Sequence, residues 1–250
     1  MAFSVEIGSF RVSNVSIKKS DSFSGKVLIA TGNPMDASVL TEVIDLADES
    51  ASCEALADHP IQVEGASGGL INGSQPLICG GWIGNYYTSE CYMAGGPTSD
   101  PVARLLTPRR YSAAVAINSH QLWVTGGIYG SNILASTEIV DILANPPTIV
   151  PGPELPVPMD GHCIVQFNQS TVLFMGGYPN YKKTFFFDTS TQTWTNGPDM
   201  NHQRMYFGCG LTIMGSDLLA VVSGGIDSPT TAELLNVGDP NGLKWSAGKN

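Results

Sequence analysis

The chain has 250 residues, 42% of them hydrophobic, and carries a formal net charge of −10 from 12 basic against 22 acidic side chains. That balance argues against nucleic acid or an anionic membrane as partner. No apolar run approaches the roughly eighteen residues a transmembrane helix needs, so no membrane insertion is expected. Residues 1–10 lack the basic start and apolar stretch of a signal peptide, which implies a cytoplasmic protein if Met1 is the true start and an extracellular one if a signal peptide precedes it.

Along the chain, Ser4-Val5-Glu6-Ile7 reads as one strand of a repeat whose earlier part is absent, so residues 1–11 are expected to form a partial extra strand. Then one sentence is written five times, an apolar run that stops on glycine. The copies are Leu28-Ile29-Ala30-Thr31-Gly32, Leu77-Ile78-Cys79-Gly80-Gly81, Leu122-Trp123-Val124-Thr125-Gly126-Gly127, Leu173-Phe174-Met175-Gly176-Gly177 and Leu219-Ala220-Val221-Val222-Ser223-Gly224-Gly225. Their last glycines are 49, 46, 50 and 48 residues apart. A period near fifty with short apolar strands is the signature of a propeller blade. Glycine permits positive φ and close backbone approach, so a strand ending in a glycine pair can turn sharply beside its neighbours.

After the glycines come a polar turn and a second strand with a glutamate: Glu42, Glu90, Glu138 and Glu233. The fourth copy instead reads Thr184-Phe185-Phe186-Phe187-Asp188, and two copies place Trp194 and Trp245 in the strand that follows. The prediction is all-β: five four-stranded blades, at about residues 12–59, 60–108, 109–158, 159–200 and 201–246, in a single domain. Once-per-blade glutamates are placed by architecture; catalytic sites are single and repeats are many.

Apolar run, Gly-Gly, Glu-bearing strand and Trp together resemble the kelch repeat over about residues 12–246. The resemblance implies a kelch-type β-propeller. Such propellers usually have six or seven blades, so five repeats imply a ring not closed by this stretch alone. In BTB-kelch ubiquitin-ligase adaptors an arginine in each inter-blade link grips acidic peptides, and Arg110 and Arg204 match that position. On this reading their truncation weakens peptide binding and leaves stability alone. The BTB and BACK parts are absent from the sequence.

In an antiparallel blade, the inter-blade links and the loops between second and third strands must emerge on one face. The links bring His59, Glu64, Arg109, Arg110, Tyr111, Asp160, His162, His202, Arg204 and Tyr206; the loops bring Trp82, Tyr86, Tyr87, Tyr129, Tyr178, Tyr181, Lys182, Lys183 and Asp227. Tyr, Trp and Arg are the residues that anchor interfaces. The expected function is therefore a non-catalytic module that recognises a protein or peptide, with carbohydrate as a further possible partner and no cofactor. The rival is a kelch-type enzyme: a copper oxidase like galactose oxidase, with His59, His162 and His202 as candidate ligands, or a sugar epimerase.

Five cysteines, Cys53, Cys79, Cys91, Cys163 and Cys209, show no zinc spacing, and an odd number cannot all pair within one chain. Free buried thiols are expected. Cys79 with Cys91, and Cys163 with Cys209, lie on neighbouring strands and could bridge in an oxidising compartment. Asn14, Asn72 and Asn168 each begin an Asn-x-Ser sequon.

Overall fold

The computed structural model describes the strands Lys26–Ala30, Thr41–Asp45 and Glu54–Ala55 by their backbone, and residues 59–72, 75–93, 100–239 and 242–248 in full. Among these every regular element is a strand, and no helix is long and apolar enough to cross a membrane. β1 (Lys26–Ala30), β2 (Thr41–Asp45) and β3 (Glu54–Ala55) form a three-stranded antiparallel sheet. Blade I follows with β4 (Ser67–Ile71), β5 (Gln75–Cys79), β6 (Glu90–Met93) and β7 (Ala103–Arg104). Blade II is β8 (Ala113–Ala116), β9 (Gln121–Thr125), then a small hairpin of β10 (Ile128–Tyr129) and β11 (Asn132–Ile133), then β12 (Thr137–Asp141) and β13 (Thr148–Pro151). Blade III is β14 (Cys163–Gln166), β15 (Thr171–Met175), β16 (Thr184–Asp188) and β17 (Thr193–Asn196). Blade IV is β18 (Gly208–Met214), β19 (Asp217–Ser223), β20 (Ala232–Asn236) and β21 (Trp245–Ala247).

The first strands β4, β8, β14 and β18 lie side by side in that order, which gives a propeller-like, ring-wise arrangement of sheets. Four complete blades are present where five were expected. The described residues of segment 12–59 pair as only three strands, and the expected extra strand in residues 1–11, like Gly32 and Cys53, lies outside the described residues.

The core lies between blades rather than within them. Successive side chains of a strand point to opposite faces, and here both faces are covered. On β15, Val172 and Phe174 pack with Ala113, Val115 and Trp123 of blade II, whereas Leu173 and Met175 pack with Cys209, Leu211, Ala220 and Val222 of blade IV. Leu122 and Val124 of β9 face Ile71, Leu77 and Cys79 of blade I. Burial on two sides explains why the repeated strands read as unbroken apolar runs instead of alternating. The two expected tryptophans serve this packing: Trp245 is buried, its Nε1 donating to the Pro198 carbonyl at 3.0 Å, and Trp194 lies 4.8 Å from the Phe174 ring and 4.6 Å from that of Phe187.

Each complete blade turns on its glycine pair, and all eight glycines have positive φ. The pair receives the backbone of a neighbouring link. Gly81 donates its N–H to the Arg109 carbonyl at 2.7 Å, Gly127 to that of Met159 at 2.8 Å and Gly177 to that of Arg204 at 2.9 Å. A Cβ on Gly177 (φ 86°) would lie 2.7 Å from the Asp160 carbonyl oxygen and 2.9 Å from the His162 nitrogen. Gly177→Val is expected to cost about 2–3 kcal/mol, since a β-branched residue combines forbidden φ with a backbone clash. An unchanged denaturant midpoint would show that the pair has no special backbone role.

Both candidate cysteine pairs are bonded, contrary to the expected free thiols. Cys79 and Cys91 sit directly opposite on β5 and β6, and Cys163 of β14 is joined to Cys209 of β18, tying blade III to blade IV. Adjacent strands place the sulfurs within bonding reach.

Candidate recognition face at the inner rim

The links and the loops after the glycine pairs do share one face: Glu64 bridges to Trp82, Arg110 to Ile128 and Asp160 to Tyr178. Beneath this face lies a buried layer that the sequence had placed on the surface. Arg109 and Arg204 are 0% exposed. Arg204 Nη2 donates to Glu233 Oε1 at 3.0 Å and to Thr231 Oγ1 at 2.8 Å, and its Nη1 reaches the carbonyls of Gly224 at 2.7 Å and Thr231 at 3.0 Å. Glu233 accepts two further bonds, from the N–H groups of Asn201 and His202. Although burial alone would raise the Glu233 pKa, these donors together hold it below the usual carboxylate value. Blade II repeats the device: Arg109 Nη2 meets Glu138 Oε1 at 2.6 Å, and Glu138 accepts from the N–H groups of Leu106 and Thr107.

Hydrogen bonds from the first glycine of each pair fix the structural register, and that register corrects two assignments. Gly80 N–H meets Glu90 O, whereas Gly126 meets Ser136, Gly176 meets Lys183 and Gly224 meets Thr231. Glu90 is therefore two residues out of step with Glu138 and Glu233, and Tyr92 holds their position. Glu90 instead pairs with Arg104 at 2.9 Å and accepts from the Tyr92 hydroxyl at 2.6 Å. The link arginine matching Arg204 is Arg109, not Arg110. Around the ring the linked positions read Val63 with Tyr92, Arg109 with Glu138, Met159 with Phe185 and Arg204 with Glu233. Where the carboxylate is lost the guanidinium is lost with it, as expected if either charge alone in that layer is costly. The side chain of Glu42 lies outside the described residues.

Two residues beyond each of these link positions, the backbone enters the left-handed region at Gly65 (φ 66°), Tyr111 (φ 60°), Gly161 (φ 61°) and Tyr206 (φ 59°). These four are joined in series around the inner rim. Tyr111 N–H donates to the Gly65 carbonyl at 2.7 Å, Gly161 to that of Tyr111 at 2.9 Å and Tyr206 to that of Gly161 at 2.9 Å. Glycine takes this φ without strain; a tyrosine held there is strained by about 1–3 kcal/mol, a state that clusters at functional sites. Gly and Tyr alternate because the rings need the neighbouring space: a Cβ on Gly161 would fall 2.4 Å from the Tyr206 ring. The two rings lie 4.8 Å apart, Tyr111 donates to a Glu64 carboxylate oxygen, and the Tyr206 hydroxyl lies 3.3 Å from Asp160 Oδ2. Sequence alone placed Tyr111 and Tyr206 on this face but passed over Gly65 and Gly161, which complete the array. Spacings of 46, 50 and 45 residues between them, close to the blade period, were the available signal.

Arg110 is the cation of this rim. Its guanidinium carbon lies 4.6 Å from the Tyr111 ring centroid, 5.2 Å from Trp82 and 5.5 Å from Tyr87. It makes no ion pair among the described residues, and its Nε is buried without a hydrogen-bond partner. Trp82, Tyr87 and Tyr129 continue outward as an aromatic series with ring centroids 4.7 Å and 5.4 Å apart. Tyr86, Tyr129 and Tyr178 are exposed, and Tyr178 packs on Tyr181 at 5.7 Å over blade III. Lys182 and Lys183 are engaged by Asn201 and Asp199.

The histidines do not converge. His59 is buried against Tyr92 with Nδ1 on the Ile61 carbonyl, His162 is buried between blades II and III, and His202 is exposed. No group of three metal-binding side chains forms among the described residues. Thr125 Oγ1 donates to the Ala113 carbonyl, so it accepts from His162 Nε2 at 2.9 Å, which places a proton on Nε2. Burial pushes the His162 pKa down to about 3. The unfolded chain then binds one more proton between about pH 6.5 and pH 3, so this group's contribution to stability falls as pH drops through that window. His162→Leu is expected to flatten the acid limb of the stability curve by up to about 1.4 kcal/mol per pH unit. Identical pH slopes in chemical denaturation would sink this assignment.

Fold and site together define an all-β propeller-like protein with a strained, aromatic and cation-bearing inner rim. Compared with known proteins, the chain matches no family profile and no curated sequence.

Proposed function

We propose that the chain is a kelch-type propeller that serves as a non-catalytic recognition module, and that it takes a protein or peptide ligand on the face of links and post-glycine loops. The kelch reading is supported by the recurring positive-φ glycine pairs and by the buried glutamate of the third strand in blades II and IV. One observation carries the binding reading: Arg110 is held over three aromatic rings and meets no carboxylate among the described residues. A carboxylate of an acidic peptide supplies what is missing, while Tyr86, Tyr129 and Tyr178 offer rigid amphipathic area around it. Unlike Arg204, Arg110 is not part of the buried ion-pair layer, so its truncation separates binding from folding.

Arg110→Ala is expected to weaken binding to an acidic peptide by about 2 kcal/mol, roughly 30-fold, with little change in thermal midpoint. Titration calorimetry with matched acidic and neutral peptides measures the difference; equal affinity of wild type and variant would move the site elsewhere. The exposed tyrosine rings also favour a second reading, a carbohydrate ligand stacked on Tyr86 or Tyr129. A glycan array positive in wild type and lost in Tyr129→Ala would select it.

A further inference from the structure

The turns between first and second strands emerge on the face opposite Arg110. Blade III places Asn168-Gln169-Ser170 there, and Asn72 follows β4 at the same end of blade I; in sequence Asn168-Gln169-Ser170 and Asn72-Gly73-Ser74 are both Asn-x-Ser with no proline between. Asn168 and Asn72 are exposed. Asn168 Oδ1 accepts from the N–H groups of Ser170 at 2.9 Å and Thr171 at 2.7 Å, which shapes the turn. Its Nδ2 makes no hydrogen bond among the described residues. The amide nitrogen is thus free to carry a substituent while the oxygen keeps the turn intact. A second, independent observation is the pair of disulfides, Cys79–Cys91 and Cys163–Cys209, in a chain whose other described residues contain no cysteine. Such bonds persist in oxidising compartments, where N-glycans are also added.

We propose that Asn168, with Asn72 on the same face, is an N-glycosylation site and that the chain matures in an oxidising secretory compartment. The donor is an oligosaccharide on a lipid diphosphate. The Asn Nδ2–C1 sugar bond forms, the C1–oxygen bond to the diphosphate breaks, the lipid diphosphate leaves, and Nδ2 gives its proton to solvent or base. Sugars at these turns lie opposite the Arg110 rim and leave it open to a ligand.

The test is expression of the full chain behind a secretory leader in eukaryotic cells. Enzymatic glycan release should convert residue 168 from asparagine to aspartate, read by peptide mass spectrometry, in the majority of molecules, with a second such conversion at residue 72. Ser170→Ala keeps the Asn168 turn but destroys the sequon, and it should abolish the change at 168 alone; the thermal midpoint of this variant confirms that it folds. Non-reducing peptide mapping should find the two disulfides. Secreted, cooperatively melting protein with unmodified Asn168, or with Cys163 and Cys209 as free thiols, would overturn the proposal.

Discussion

Arg204→Ala is expected to destabilise the protein by about 3–5 kcal/mol, read as a shift of the denaturant midpoint at unchanged slope. The cost arises because the truncation leaves Glu233 buried without its cation and takes a donor from the carbonyls of Gly224 and Thr231, of which Thr231 keeps the Gly224 N–H. Against a total of about 5–15 kcal/mol for a typical domain, such a loss brings the chain near unfolding. This replaces the expectation that Arg204 is a surface anchor whose removal spares stability. Blade III supplies a sharper version of the test, since it fills the same two positions with Met159 and Phe185, 0% and 7% exposed. The double variant Arg204→Met, Glu233→Phe should therefore recover most of what Arg204→Ala loses, because apolar groups of suitable volume replace a buried ion pair at little cost. Asn201 and His202 are exposed, so water can serve the N–H groups that Glu233 abandons. A double variant as unstable as the single one would mean that the pair is required by geometry peculiar to blade IV.

Removing the Cys163–Cys209 disulfide, by Cys163→Ala with Cys209→Ala, is expected to cost about 2–4 kcal/mol. The bond closes a 46-residue loop and ties the innermost strands of two blades, whereas Cys79–Cys91 closes only 12 residues between strands already paired. Loop-closure entropy grows with the logarithm of length, so the longer bridge should exceed the shorter by about 1 kcal/mol. Equilibrium unfolding of the two double-alanine variants measures both values. Equal and negligible losses would show that inter-blade packing alone holds blades III and IV together. Dithiothreitol should reproduce the combined effect in the unmodified chain.

Much of the architecture was written in the sequence because it repeats. The apolar runs ending at Gly81, Gly127, Gly177 and Gly225 identified the second strand of four blades, and φ is positive at each of those glycines. Antiparallel geometry then fixed which loops share a face, which is why Trp82, Tyr87, Arg110 and Tyr111 belong together on sequence grounds alone. What a one-dimensional period cannot supply is depth and phase. Arg109 and Arg204 looked like surface cations because charged residues are mostly exposed; only the approach of the next blade encloses them against Glu138 and Glu233. Glu90 looked like a member of the glutamate series because its neighbours read alike, but ladder hydrogen bonds set it two residues away. The disulfides, too, needed distance: neighbouring strands made Cys79–Cys91 and Cys163–Cys209 the candidate pairs, but only the approach of the sulfurs in space shows them bonded rather than free. Composition and local pattern determined that this chain makes radial β-blades, since strand period and glycine turns are local properties. Tertiary structure alone decided which charges are buried, enclosing Arg109 and Arg204 while leaving Arg110 outside the ion-pair layer, because burial belongs to the contact between blades and not to any single repeat.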